Sequence, residues 1–164
     1  MPRRPRSAEG RRVVSSLAWW ALSLNAAAAL YMTGVIWLVQ RVHYPLLRYV
    51  GAESFADYHH RHVAGIFPVV ALPMLAEGVA AAWLAFQPPD GVSRWALWGG
   101  VACVLAAFGV TALVSIPCHD RLAQGFDQAT LERLVHTNWL RTLAWTLHGG
   151  LSLAALVQFG CQKR

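Results

Sequence analysis

The sequence predicts an all-α protein: four membrane-spanning helices in an up-down-up-down bundle. Three observations carry that reading. The 164 residues are 56% hydrophobic and only 13% charged, with mean hydropathy +0.39, against about a quarter charged in an ordinary soluble domain. Four apolar stretches are each long enough to cross a hydrocarbon core of about 30 Å, which takes ~20 helical residues. The connections between them are short, so consecutive helices become antiparallel neighbours. Backbone groups in lipid must bond within the segment, which makes each span a helix.

The chain opens on a basic tail over 1–14, with Arg3, Arg4, Arg6, Arg11 and Arg12. Much of the net charge of +6 sits here, where a basic flank before an apolar stretch sets membrane orientation and needs no nucleic-acid partner. The membrane domain covers 15–160. Its first span, about 15–44, is too long for a signal peptide and lacks a small-residue cleavage pattern before Gln40-Arg41. Gly51 breaks the chain, and Ser54 with Asp57 resembles a capping box opening the second span, about 54–86. Pro88, Pro89, Asp90 and Gly91 form a turn before the third span, about 94–117, which Pro117 closes. Gly125 leads to Asp127, an N-cap for the fourth span, about 130–159. Three cysteines, an odd number, give no disulfide framework. Arginines and lysines near the helix ends favour both termini on the cytoplasmic side of a multi-pass protein in the cytoplasmic membrane.

This threading gathers polar residues that are distant along the chain. Span one ends, span two begins, span three ends and span four begins on one face of the membrane. There stand His43, then His59, His60 and His62, then Cys118, His119 and Asp120, then His136, Asn138 and Arg141. His59 and His62 are one turn apart and share a helix face, while His60 points away. His43, His59, His62, His119 and His136 are therefore the candidate ligands of a transition metal, iron, copper or zinc, over the bundle axis. The competing explanation is that histidine is excluded from lipid and simply collects at an interface. Deeper in the membrane, Glu77 and His148 fall near mid-depth, either as a proton relay or substrate anchor, or as a hydrogen bond joining two helices with Asn25. Arg141, with Asn138 one turn away, is either a clamp for an anion or carbonyl at a cavity mouth or a snorkelling cation paired with Asp57 or Asp120.

Five segments resemble a family of bacterial four-helix membrane proteins related in pattern to the anthrone oxygenase-like proteins of polyketide pathways. They are V-I-W-L-V-Q-R-V-H-Y-P-L at 35–46, F-A-D-Y-H-H-R-H at 55–62, P-M-L-A-E at 73–77, I-P-C-H-D-R-L-A-Q-G-F-D at 116–127 and L-V-H-T-N-W-L-R-T at 134–142. They touch all four spans; His119 stands where the oxygenase relatives commonly have Asn. The resemblance implies the four-helix fold and an O₂-dependent oxidation of an aromatic or otherwise apolar molecule entering from the bilayer.

The sequence thus points to a membrane oxidoreductase, metal-assisted, with the five histidines as ligands and Glu77, Arg141, Asn138 and His148 handling protons or substrate. Two other readings remain open at this stage. One is haem binding through two of the histidines. The other is a non-catalytic accessory subunit of a larger membrane complex, or a homo-oligomer, docking through the histidine face.

Overall fold

The computed structural model describes residues 8–162, with side chains from Ser16 onward. The side chains of the basic tail expected over 1–14, and Lys163 and Arg164, lie outside the described residues. Among those described, the chain is all-helical. Four long helical arms carry it: α1 (Ala8–Leu38), α3 (Ala52–Phe86), α4 (Arg94–Val110) and α6 (Gln128–Cys161), with two short helices, α2 (Tyr44–Leu46) and α5 (Ile116–Leu122), extending α1 and α4. Ser16–Tyr49, Ala52–Phe86 and Arg94–Leu122 are long and apolar enough to cross a membrane. The fourth expected span, α6, is as long but is not in that group: its first half carries Glu132, Arg133, His136, Asn138 and Arg141, and its second half includes His148, Ser152 and Gln158.

Pro117 does not close the third arm, as the sequence suggested. The helix widens instead into a π turn over Thr111–Ser115, closed by Ile116 N–H donating to Thr111 O, and continues to Leu122 with Pro117 in the first turn of α5. The first arm repeats the device. Val39–His43 is a π turn closed by Tyr44 N–H on Val39 O, and Pro45 follows at once. A proline inside a helix lacks its N–H and crowds the carbonyl four residues back. One extra residue in the preceding turn relieves that contact and rotates everything beyond it by about 100°. Both wide turns lie at the same end of the bundle, one immediately before Tyr44 and the other one helical turn before His119.

The expected capping box at Ser54 is absent. Gly51 occupies the cap with no side-chain bond, and Ser54 N–H already donates to Gly51 O inside the first turn. Asp127 does cap α6, accepting from Thr130 N–H at 2.7 Å. Gly91 takes φ +74° and Gly125 φ +144° in the two tight connections, the left-handed region that suits glycine. At Gly91 a Cβ would also run into the Gln162 side chain.

α6 packs against both α1 and α4, and α3 completes the ring against α1 and, more sparsely, α4. Along α1 and α6 the paired residues run in opposite order: Asn25 with Ser152, Trp37 with Thr146, Gln40 with Asn138. The apolar interior falls into two clusters. One, around Met32, Ile36, Phe55, Leu122, Leu134 and Trp145, underlies the histidine end. The other, around Leu22, Leu84, Leu97 and Phe159, lies toward the termini. Between them stands a polar layer formed by Asn25, Glu77, His148 and Ser152, all buried.

Candidate functional site

Four of the five expected ligand histidines meet. The rings of His43 and His62 stack with centroids 4.2 Å apart, those of His59 and His119 at 5.1 Å, and His62 lies 5.8 Å from His119. The arms deliver them differently. His59 and His62 share one face of α3 by simple helical spacing, whereas His43 and the residues after it owe their direction to the π turn. His136 does not join. It is exposed on α6, because the stripe that turns inward there is Leu134, Asn138, Arg141, Trp145 and His148, and 136 lies on the opposite side. His60 is exposed, as expected.

The imidazoles form a hydrogen-bonded chain rather than an open donor set. Tyr44 Oη is 3.0 Å from His119 Nε2, and His119 Nδ1 is 3.2 Å from His59 Nε2. His59 Nε2 also lies 3.2 Å from the His119 carbonyl oxygen. In one tautomer Tyr44 donates to His119, which donates to His59; in the other His59 donates to His119, whose Nε2–H donates to Tyr44. Either way one proton sits between each pair. His59 Nδ1 and His43 Nε2 are buried without a partner. Among the described residues no three His, Cys, Asp or Glu side chains are grouped so as to hold a metal ion.

Beside this chain lies a cavity of about 420 Å³. Its walls are apolar, from Met32, Ile36, Val70 and Met74 to Phe108, and its polar end is made by Tyr44, His62, Ser115, His119 and Arg141. The rim is open: Phe67, Leu75 and Ile116 line it and are 67%, 64% and 50% exposed. Asp120 also lies on the rim, exposed.

Arg141 is buried and held from several sides. One terminal nitrogen donates to Ser115 Oγ at 3.2 Å and to Asn138 Oδ1 at 3.0 Å, and the guanidinium stands 5.2 Å from the centroid of Trp145. The snorkelling alternative does not hold. No carboxylate pairs with Arg141 among the described residues, and Asp57 pairs instead with Arg61 at 2.9 Å. Asn138, expected to act on substrate, is a positioning residue. Its amide donates to Gln40 Oε1 at 2.9 Å, and Gln40 in turn donates to the Val135 carbonyl at 3.2 Å, leaving Asn138 Oδ1 for Arg141.

Glu77 and His148 do meet, but away from the cavity. Glu77 Oε2 accepts from Trp145 Nε1 at 2.9 Å, and its Oε1 lies 3.3 Å from His148 Nε2, out of line for a hydrogen bond. Ser152 bridges toward Asn25, whose amide donates to Ser152 Oγ at 2.9 Å. Neither Glu77 nor His148 lines the cavity; the hydrogen bonds here run from Trp145 to Glu77 and from Asn25 to Ser152, joining α6 to α3 and to α1. Gln40, Tyr44 and Ser115 were not anticipated at all. For Tyr44 and Ser115 the available signal was a polar residue one or two positions before a proline, at Tyr44-Pro45 and Ser115-Ile116-Pro117; Pro68 and Pro73 inside α3 follow apolar residues.

No protein-family model, no curated protein and no solved structure matches the chain.

Proposed function

We propose that the chain is a multi-pass protein of the bacterial cytoplasmic membrane, its four long arms crossing alternately with both termini cytoplasmic. It acts there as an oxidoreductase on an apolar or aromatic molecule that enters from the bilayer. The observation carrying this is the cavity: apolar walls, a rim open on the bundle's flank, and a polar end built from Tyr44, His119 and Arg141. The bundle's outer surface supports the membrane setting. Phe67, Leu72, Leu75, Val79, Leu113, Leu143 and Val157 are all exposed, an apolar exterior that water disfavours and lipid accepts.

In this reading the apolar body of the substrate fills the cavity and Arg141 fixes its oxygen. The substrate loses two electrons and two protons to dioxygen, giving hydrogen peroxide, and Tyr44, His119 and His59 would carry one of those protons. A transition metal, iron, copper or zinc, would draw its ligands from His43, His59, His62 and His119. The packing of the four rings, His43 on His62 and His59 on His119, supports a shared ion among them rather than two separated ligands.

The test is elemental analysis and solvent extraction of detergent-purified protein. A bound lipophile, and metal lowered by His59→Ala, His62→Ala and His119→Ala but not by His136→Ala, are expected. Metal unchanged in all three variants removes the metal from the reading, a Soret band replaces it with haem, and the absence of any lipophile together with stoichiometric co-purification of other subunits replaces it with an accessory role.

A further inference from the structure

The polar end of the cavity contains an ionic imbalance. Arg141 is 6% exposed, and its guanidinium carries a fixed positive charge. The groups it reaches, Ser115 Oγ, Asn138 Oδ1 and the Tyr44 hydroxyl, are all uncharged. Its Nε–H is buried with no acceptor, and no carboxylate lies within ion-pair distance among the described residues. An unpaired charge in such surroundings costs several kcal/mol unless a counter-charge arrives. The side chain is not free to withdraw, since Asn138, Gln40 and the Val135 carbonyl brace it from behind and Trp145 lies against it. What remains open is the cavity that it lines.

From this we infer that the cavity takes an amphiphile whose polar end is an oxyanion, a carboxylate or a phosphate monoester on an apolar body, docked on Arg141. This rests on the proposed function and narrows it by naming the substrate class. A guanidinium matches a two-oxygen anion through parallel N–H donors, and the apolar walls match a chain or ring system behind it. About 420 Å³ is the size of a small-molecule pocket, enough for one such tail. Asp120, the carboxylate on the rim, is exposed to solvent and disfavours a second negative charge at the entrance, so the ligand carries one anionic group at its inner end. The oxyanion has two sources, a free amphiphile or the headgroup of a membrane lipid.

The experiment uses the full chain in phosphatidylcholine nanodiscs, with dodecanoic acid, dodecyl phosphate, methyl dodecanoate and dodecanol as probes. Dodecanoate and dodecyl phosphate are expected to bind at least about tenfold more tightly than the ester and the alcohol, the scale of a buried charged hydrogen bond. Arg141→Gln should bring the anions down to the level of the ester, and Arg141→Lys should restore part of the difference. Equal binding of acid and ester by the unaltered protein overturns the inference, and that comparison stands even if Arg141→Gln fails to fold. Ala71→Phe, which fills the apolar wall, should weaken acid and ester alike. If it does so while acid and ester bind equally, only the anion inference fails; if no probe binds, the proposed function fails with it. Repeating the titration in phosphatidylglycerol nanodiscs separates the sources. Competition there assigns the oxyanion to lipid headgroups, and undiminished dodecanoate binding assigns it to a free amphiphile.

Discussion

The most exacting test of the packing is a single methyl group at Gly100. A Cβ built there would stand 2.9 Å from His148 Nδ1 and 3.1 Å from its Cε1, closer than real contacts of that kind. The imidazole has little room to yield. It is buried, with Nε2 held between Glu77 Oε1 at 3.3 Å and Ser152 Oγ at 3.5 Å. Two effects oppose each other in Gly100→Ala. Replacing a helical glycine by alanine stabilises by roughly 1 kcal/mol, and overpacking of this kind costs about 1–3 kcal/mol. The neighbouring glycines separate the two. Gly150 meets nothing within 4 Å, so Gly150→Ala should show the propensity gain alone. Gly99 meets only Leu151 Cδ1 at 3.3 Å, the end of a flexible side chain, and should fall between. The expected order of thermal midpoints in one detergent is Gly150→Ala highest, Gly99→Ala next and Gly100→Ala lowest. About 1–3 kcal/mol should separate the extremes. The clash is a pairwise term, so it should vanish in the His148→Ala background and appear as a non-zero coupling in the double-mutant cycle. A Gly100→Ala midpoint equal to that of Gly150→Ala, or a coupling of zero in the cycle, refutes the placement of His148 against α4.

Three further outcomes follow from the same contacts. His119→Ala removes the imidazole from the Tyr44 hydroxyl and leaves His59 Nε2 only the backbone carbonyl of residue 119, and should cost about 1–3 kcal/mol by equilibrium unfolding, whereas His136→Ala, at an exposed position, should stay within about 0.5 kcal/mol. Glu77→Gln keeps an oxygen for Trp145 Nε1 and should be tolerated; Glu77→Leu leaves that buried donor unpaired and should lower the thermal midpoint clearly more than the amide does. Hydrogen bonds from Thr130 hold the Asp127 carboxyl below its ordinary value. A depressed carboxylate stabilises above its unfolded pKa and loses that contribution as pH falls through the folded one, so the midpoint difference between the unaltered protein and Asp127→Ala should shrink on acidification.

What could be read from the sequence was whatever depends on period and composition. His59 and His62 face one way because they are three residues apart on a helix. Arg141 and Asn138 share a stripe for the same reason, and Asp127 caps because it immediately precedes the helical pattern. What escaped depends on a break in the period. Pro117 looked like a terminus, but the wide turn before it lets the helix run on to Leu122. The matching turn at Val39–His43 changes the phase at Tyr44, so Tyr44 went unnoticed as the partner of His119. His136 failed for the opposite reason. Its height along the bundle is right for the cluster, but its angle about α6 is wrong, and counting residues along the helix measures only height.

Polar side chains inside an apolar bundle serve either to join helices or to receive something, and their hydrogen-bond partners distinguish the two. Asn25 donates to Ser152 and Asn138 to Gln40, each a single hydrogen bond between neutral side chains of neighbouring helices. Glu77 takes the Trp145 N–H and sits against His148, joining α3 to α6. Such pairs stabilise the bundle by about 0.6 kcal/mol each on average, and require nothing from outside. Arg141 differs in kind. Its donors meet only neutral acceptors, one remains without any, and its charge is unanswered by any described residue. A helix-joining role would be served as well by an uncharged side chain such as glutamine, without the desolvation of an ion. The residue therefore makes physical sense at that position only if the negative charge it lacks comes through the open side of the cavity.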